Sequence, residues 1–251
     1  MRRLLPLAFA LAAAALPLPL RAETADEVIA KNVAARGGLD KIRAVHSLRM
    51  TGTMSMGPDL EAPMVLELAR GNRMRMEFTV QGKKGIQTFD GTSGWTLMQF
   101  MGQTEAEAMP AEAVKDVVEQ TDIDGPLVDY QKKGHKVELV GRDQASGSDA
   151  YHFRVTLKNG VVREIWIDAA SGLEVRGEGR REMRGRTMEA ETTLGDYRPV
   201  DGLQFPHRIE GGPKGSPQKQ KITITKIEVN PTIEDSRFGK PTTKPPVDKT
   251  I

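Results

Sequence analysis

The stretch SLRMTGTMSM, residues 47–56, alternates between apolar and polar side chains without a break. A period of two residues is typical of a β-strand with one buried and one exposed face. The stretch RMRMEFTV, residues 73–80, repeats the same division. Both apolar faces are rich in methionine, a flexible and polarizable side chain that adapts to irregular surroundings. The two stretches therefore predict strands whose apolar face suits contents of irregular shape.

Ten further segments carry a strand pattern and are separated by turn signals. Together with the first two they lie at about residues 46–56, 63–70, 73–81, 85–90, 94–101, 136–142, 149–158, 161–168, 173–184, 186–196, 203–210 and 219–229. The short connections predict antiparallel neighbours, and Asn159-Gly160 predicts a tight hairpin. A change of phase near Thr225-Lys226 predicts a β-bulge.

About twelve antiparallel strands accumulate twist and cannot stay flat. We therefore predict a mainly β protein with some α-helix, in which a curled antiparallel sheet of about 11–12 strands forms an unclosed half β-barrel with covering helices. A sheet wrapped on its helices as a solid core, without a cavity, fits the same pattern. The sequence pattern leaves these two interiors open.

Two segments carry a helical pattern. Thr24 and Glu27 have the spacing of a capping box, which predicts a helix over residues 24–36 that ends at Gly37-Gly38. Residues 104–133 interrupt the strands and predict a helical lid insertion. Its apolar face consists of Val114, Val117 and Val118, and a second short helix is expected to start at Pro126.

The two ends of the chain differ from the rest. Residues 1–22 contain Arg2, Arg3, an apolar run and a small residue at Ala22, which predicts a signal peptide cleaved after Ala22. A retained membrane helix is the alternative, but the run contains three prolines and is short. We expect residues 23–240 to form a single domain and residues 241–251, rich in Lys, Thr and Pro, to form a flexible tail.

Composition narrows the function further. Without residues 1–22 the chain has 33 basic and 34 acidic residues, so its charge implies no nucleic-acid partner. The absence of cysteine excludes disulfides, thiol catalysis, thiolate metal sites and a lipidated cysteine anchor. We therefore expect a free, soluble protein outside the cytoplasm, and we expect it to be a monomer.

The sequence shows no recognisable catalytic motif. His46, His135, His152 and His207 lack metal-ligand spacing, and the chain has neither a phosphate-binding glycine loop nor a serine elbow. We expect no metal, no cofactor and no covalent chemistry, and hence no enzyme. A hydrolase acting on envelope material is an alternative that requires His152 or His207 beside a nucleophile.

Several segments resemble a known family. They are Val45–Leu48 at the entry of the first strand, the hairpin FDGTSGW at 89–95, and Trp166–Asp168 followed by Ser171–Leu173. With the order of elements, they resemble the LolA-type periplasmic lipoprotein carriers and the wider outer-membrane lipoprotein-sorting proteins. The resemblance covers about residues 24–241.

This resemblance implies an unclosed barrel with a helical lid, whose cavity takes the acyl chains of a lipoprotein. The protein would then be a soluble periplasmic carrier that passes lipoproteins or related acyl lipids towards the outer membrane, between membrane-bound donor and acceptor proteins. A periplasmic sensor module that binds a ligand or a protein is the alternative for the same fold. In either case the resemblance implies neither a cofactor nor a nucleic-acid partner.

Two sets of site residues follow. We expect the apolar strand face to line the cavity, through Met50, Met54, Met74, Met76, Phe78, Trp95 and Leu97. In the carrier family an arginine in a Lys-Arg-Pro-Asn setting bonds to the lid, and Arg70 resembles it although Ala69 and Gly71 replace the lysine and the proline. The resemblance thus implies that Arg70 holds the lid closed, whereas an ordinary turn arginine is the alternative.

Overall fold

The structure is a computed structural model, and it describes residues 23–57, 60–183 and 186–242. The predicted signal peptide, residues 1–22, lies outside the described residues, as do residues 243–251 of the predicted tail. No helix within the described part is long and apolar enough to cross a membrane.

A single antiparallel sheet dominates the described residues. Its strands are β1 (Ser47–Gly57), β2 (Leu60–Ala69), β3 (Arg73–Val80), β4 (Lys83–Phe89), β5 (Gly94–Met98), β6 (Glu107–Ala108), β7 (Lys136–Ala145), β8 (Ser148–Thr156), β9 (Val162–Asp168), β10 (Glu174–Met183), β11 (Arg186–Val200), β12 (Leu203–Pro213) and β13 (Gln220–Val229). Their spatial order is β6-β5-β4-β3-β2-β1-β13-β12-β11-β10-β9-β8-β7. Since β6 and β7 are separate edges, the sheet is an unclosed half-barrel, as predicted.

Helices cover one face of this sheet, which we call the inner face. They are α1 (Ala25–Ala35), α2 (Leu39–Arg43) and α3 (Ala111–Gln120), and short 3₁₀ helices lie at Gln99–Met101 and Asp235–Phe238. The helix α1 starts with the predicted capping box, in which Thr24 Oγ1 accepts from the Glu27 amide at 3.3 Å. Glu27 in turn accepts from the Thr24 amide at 2.7 Å, so the first orphan amides of the helix are satisfied.

The helices divide the inner face into two packed regions. Val28 and Ile29 of α1 are buried against β8 and β9, where Phe153 and Ile165 are among their neighbours. The helices α2 and α3 pack on the other half of the sheet, with Ile42 and Val117 against side chains of β1–β3. Burial of these apolar faces is the main force that holds the helices on the sheet.

The predicted irregularities of the strands are present. Thr51 pairs with Lys226 but Gly52 pairs with Ile224, so Thr225 is the extra residue of a β-bulge. An ideal Cβ at Gly52 would lie 2.0 Å from the Thr223 carbonyl oxygen, which explains why glycine stands where β1 meets the bulge.

The hairpin at Asn159-Gly160 also forms. The Leu157 amide donates to the Val161 carbonyl at 2.8 Å, and Gly160 adopts a left-handed φ of 84°. A glycine in that conformation closes a three-residue hairpin loop without strain.

The insertion differs from the prediction in one respect. The prediction of a second helix from Pro126 to about Gly134 is wrong, because residues 126–134 form consecutive turns instead. Asp129 has a φ of +51°, and a left-handed residue interrupts the path of a right-handed helix. The helix α2 was not predicted, since five residues are too few for a period of 3.6 to be recognised.

Candidate functional site

A cavity of about 1080 Å³ lies between the insertion and the inner face of β9, β10 and β11. We call the part of the insertion above it, residues 111–133, the lid. The volume is slightly above the range of about 300–1,000 Å³ found for small-molecule sites. Its wall combines apolar side chains with a charged rim, and the apolar residues include Val118, Leu157, Ile165, Ala190 and Leu194.

Gly177 of β10 leaves part of this space open. Gly177 pairs with Ile165 of β9 and with Thr192 of β11, so these three residues share the inner face. Gly179 follows on the same face and also lies on the cavity wall, but the guanidinium of Arg163 covers it: an ideal Cβ at Gly179 would lie 1.7 Å from Nη1 of Arg163. An ideal Cβ at Gly177 would meet its nearest neighbour, Oε1 of Glu174, at 3.4 Å. The cavity therefore exists here because no side chain fills it.

Arg70 joins the lid to the body of the protein. Its guanidinium donates to both carboxylate oxygens of Asp124 in the lid, at 3.0 and 2.8 Å. It also donates to the carbonyl oxygens of Val45, at 2.6 Å, and of Ile42 and Arg43, both at 3.1 Å. The hydrogen bond to Asp124 raises the pKa of Arg70 further above its ordinary value. Arg70 thus contacts the lid at Asp124, and a role in holding the lid closed stays a prediction.

Further polar contacts hold the lid at other points. Arg43 forms an ion pair with Asp129 at 2.7 Å, and Arg163 of β9 forms one with Glu119 of α3. Arg36 donates to the Asp124 carbonyl oxygen at 2.8 Å. The lid is also held by apolar packing, because Val117 and Val128 belong to the core cluster with α2 and β1–β3 and Leu127 belongs to the cluster with α1.

The lid valines have different surroundings. Val117 is buried, and Val114 packs beside it, in the core cluster with α2 and β1–β3. Val118 is 36% exposed and lines the cavity. Only one of the three predicted lid valines therefore faces the cavity.

Glu174 places a carboxyl group at the cavity wall. A register shift between Glu174 and Arg176 lets Glu174 pair with Ile167, which packs against α1 on the inner face. Burial raises the pKa of Glu174 to about 7, and the positive charge of Arg36 opposes this shift. The Tyr197 hydroxyl donates to the carbonyl oxygen of Glu174 at 2.8 Å. Burial, with the nearby Glu174 charge, also raises the pKa of Tyr197.

The seven residues predicted to line a cavity fall into three groups. Met50 and Met74 pack in the cluster covered by α2 and α3. Met54, Met76 and Phe78 form a second cluster, which also contains Met64, Met98 and Phe100. Trp95 and Leu97 pack with Ile86 in a third.

Strand pairing puts the third group on the other side of the sheet. Leu97 pairs with Ile86, which pairs with Glu77. Because neighbouring residues of β3 point to opposite faces, Glu77 faces away from Met76 and Phe78. Trp95 and Leu97 thus lie on the outer face. All seven residues are described by the structure, and none lies on the wall of the 1080 Å³ cavity.

The sequence patterns missed the residues that do line this cavity. Glu174, Gly177 and Gly179 lie in the segment 173–184, which was predicted only to be a strand. Two glycines spaced by one residue lie on the same strand face, which signals a surface without side chains. That spacing, in VRGEGR at residues 175–180, was the available clue.

The histidines occupy ordinary positions. His152 contacts Glu164 at 2.8 Å and stacks on Trp166, and His207 contacts the Phe205 carbonyl oxygen at 3.1 Å. Burial, with the nearby charge of Lys133, lowers the pKa of His135 on the cavity wall. Across residues 23–57, 60–183 and 186–242, no cluster of His, Asp and Glu has the composition of a metal site.

Solved structures share this architecture. A DUF1329 family protein from Desulfovibrio piger matches with a TM-score of 0.58 at 12% identity, over 85% of this chain and 96% of its own. A domain assigned to the outer membrane lipoprotein-sorting proteins, from Vibrio parahaemolyticus, matches with a TM-score of 0.56 at 11% identity, over 84% and 94%. A LolA superfamily protein from Nitrosomonas europaea matches with a TM-score of 0.54 at 12% identity, over 87% and 99%.

The resemblance is thereby confirmed at the level of the fold, because this chain shares the unclosed half-barrel of these proteins. No protein-family model matches the sequence, and no curated protein matches it significantly.

Proposed function

We propose that this protein is a soluble periplasmic carrier that shelters the acyl chains of lipoproteins or related lipids beneath its lid. The observation that carries the proposal is the 1080 Å³ cavity between the lid and the inner face of β9–β11. The shared fold with a lipoprotein-sorting domain supports the ligand class. The predicted signal peptide supports the location.

The cavity wall suits an amphiphile. Ile165, Leu157 and Leu194 offer apolar contacts to a chain, while Lys158 and Arg163 place charge at the rim. Removing about 16 carbons from water stabilises a complex by on the order of 10 kcal/mol, so an apolar pocket is sufficient for binding without a cofactor. Affinity of that kind makes release slow unless the binding site changes shape.

In this proposal, movement of the lid changes the shape of the binding site. In this proposal Arg70 is the main tether, and ligand exchange requires its bonds to Asp124 to break. A membrane-bound donor and a membrane-bound acceptor would load and unload the carrier by competing for these contacts or for the chain. The methionine clusters serve, in this proposal, as deformable packing around the cavity rather than as its wall.

The experiment fills the cavity without disturbing the fold. We expect Gly177→Val to weaken binding of a fluorescent acyl-chain probe at least about tenfold, because the added side chain occupies space that the ligand needs. The measurements are probe titration and native mass spectrometry of lipid bound to protein purified from the periplasm.

A matched control is available at Gly211 of β12. An ideal Cβ there also meets its nearest neighbour at 3.4 Å, and Gly211 does not belong to the described cavity wall. Gly211→Val should therefore bind the probe like the unaltered protein. Undiminished binding in Gly177→Val would rule out this cavity as the lipid site, and capture of a protein partner without lipid would favour the sensor alternative.

A further inference from the structure

Glu174 and Asp116 differ from the other acids of the cavity wall, because neither forms an ion pair within residues 23–57, 60–183 and 186–242. Four of those acids form ion pairs: Glu119 with Arg163, Asp122 with Lys133, Glu164 with Arg154, and Glu178 with Lys214. The Glu174 carboxyl has no hydrogen bond or ion pair to any group of the described residues. Glu174 is partly buried, and withdrawing a carboxylate even partly from bulk water is costly unless a partner compensates its charge.

The neighbours of Glu174 do not provide that partner. Tyr197 of β11 directs its hydroxyl to the backbone oxygen of Glu174, not to the carboxyl. Arg36 of α1 is close enough to influence Glu174, but its guanidinium donates to the Asp124 carbonyl oxygen. Arg163 of β9 is paired with Glu119. The carboxyl thus faces the cavity with its hydrogen-bonding capacity unused.

We propose that Glu174 binds a primary ammonium group carried by the ligand, so that the cavity takes an acyl chain whose polar end is a protonated amine. This inference rests on the proposed carrier function and specifies its ligand. Gly177 keeps the approach open, because its missing side chain leaves the space beside Oε1 of Glu174 free. The ammonium could belong to a lipid head group or to the amino terminus of an acylated peptide.

The pH dependence of binding follows from the charges around Glu174. Its pKa of about 7 means that the carboxylate predominates above neutral pH and the neutral acid below it. An alkyl ammonium has a pKa near 10 and stays charged throughout this range. Lys133 is paired with Asp122, and His135, with its lowered pKa, is neutral near pH 7. Glu174 is therefore the group whose titration should control ammonium binding here.

The test compares two single-chain probes, dodecylamine and N-dodecylacetamide, which differ in the charge of the nitrogen. At about pH 8 we expect the unaltered protein to bind dodecylamine at least about tenfold more tightly than N-dodecylacetamide. The reason is that only the protonated amine can form a charged hydrogen bond with the Glu174 carboxylate. At about pH 6 the preference should fall about tenfold, because Glu174 takes up a proton. Isothermal titration calorimetry, with each probe below its critical micelle concentration, measures the affinity for both probes at each pH.

A charge-neutral variant isolates the carboxyl group. Glu174→Gln should abolish the preference and its pH dependence while still binding both probes through the chain. The control Glu138→Gln removes the same charge from the exposed edge strand β7 and should keep the preference. The pH dependence of the unaltered protein tests the proposal even if Glu174→Gln folds poorly.

The outcomes separate the two proposals. Equal binding of both probes at pH 8 would overturn the ammonium site and leave the carrier intact. If neither probe binds, both proposals fail. Once the preference is established, phosphatidylethanolamine and a diacylated peptide with a free amino terminus, each beside its N-acetylated form, distinguish the two sources of the amine.

Discussion

Arg70 has the most demanding set of contacts among the residues that attach the lid. Its guanidinium donates hydrogen bonds to the Asp124 carboxylate and to three backbone carbonyl oxygens. Arg70→Leu removes all of these bonds and leaves Asp124, 13% exposed, without its main counter-ion. We expect the variant to release a bound fluorescent lipid at least about tenfold faster, since losing a charged hydrogen bond costs about 1.5–3 kcal/mol.

Stopped-flow displacement measures the release rate. Arg142→Leu is the control, because Arg142 pairs with Asp149 of the adjacent strand and not with the lid. If Arg70→Leu releases lipid at the rate of the unaltered protein, Arg70 is an ordinary turn arginine. Asp124→Asn should show the same direction of change, because it weakens the same pair while keeping the backbone contacts.

The pairing of β1 with β13 requires a close approach between Gly52 of β1 and the Thr223 carbonyl oxygen of β13. The bulge at Thr225 brings the Thr223 carbonyl oxygen to where a side chain at Gly52 would lie. Gly52→Ala must push the strands apart, and we expect the free energy of unfolding to fall by about 2 kcal/mol or more. Urea denaturation measures this. Gly211→Ala, whose nearest neighbour is 3.4 Å away, should change stability by less than about 1 kcal/mol, and equal stability of the two variants would contradict the close approach.

The whole sheet depends on a pairing between the two ends of the chain. Leu48 of β1 pairs with Val229 of β13, and β13 lies between β1 and β12 in the sheet. The middle of the sheet therefore forms only after β13, the last strand of the chain, has paired with both neighbours. Removing residues 220–251 would leave β1 and β12 as long unpaired edges, which promote aggregation. We expect that truncated chain to be insoluble after refolding from urea. A chain that ends at residue 242 retains β13 and should refold, and soluble refolding of both would show that β13 is dispensable.

Much of the architecture was predictable because it follows from local patterns. Alternation over 47–56 and 73–80 depends on side chains a few residues apart, and so does the capping box at Thr24 and Glu27. The bulge at Thr225 was also visible, as a break in the alternation. The structure confirmed each of these. The helix expected from Pro126 failed because a left-handed residue at Asp129 is not a feature of the apolar period.

The candidate site was less predictable. The alternation of β1 and β3 correctly identified an apolar face, but Met74 is covered by the helices rather than by a void. Trp95 and Leu97 belong to the outer face, which only the pairing of β4 with β5 reveals. Arg70 was identified by resemblance to the carrier family, and its partner Asp124 is known only from the structure.

The amino-acid sequence by itself determined which segments are strands and helices and which side of most strands is apolar, because these properties depend on neighbours along the chain. Only the tertiary structure decided where the space lies. The cavity arises where Gly177 leaves a gap beneath a lid that Arg70 contacts through Asp124. Glu174 faces that gap because a shift in strand register turns it inward. Register and packing join residues far apart in sequence, so two glycines spaced by one residue can indicate a face without side chains but cannot show whether that face is filled or hollow.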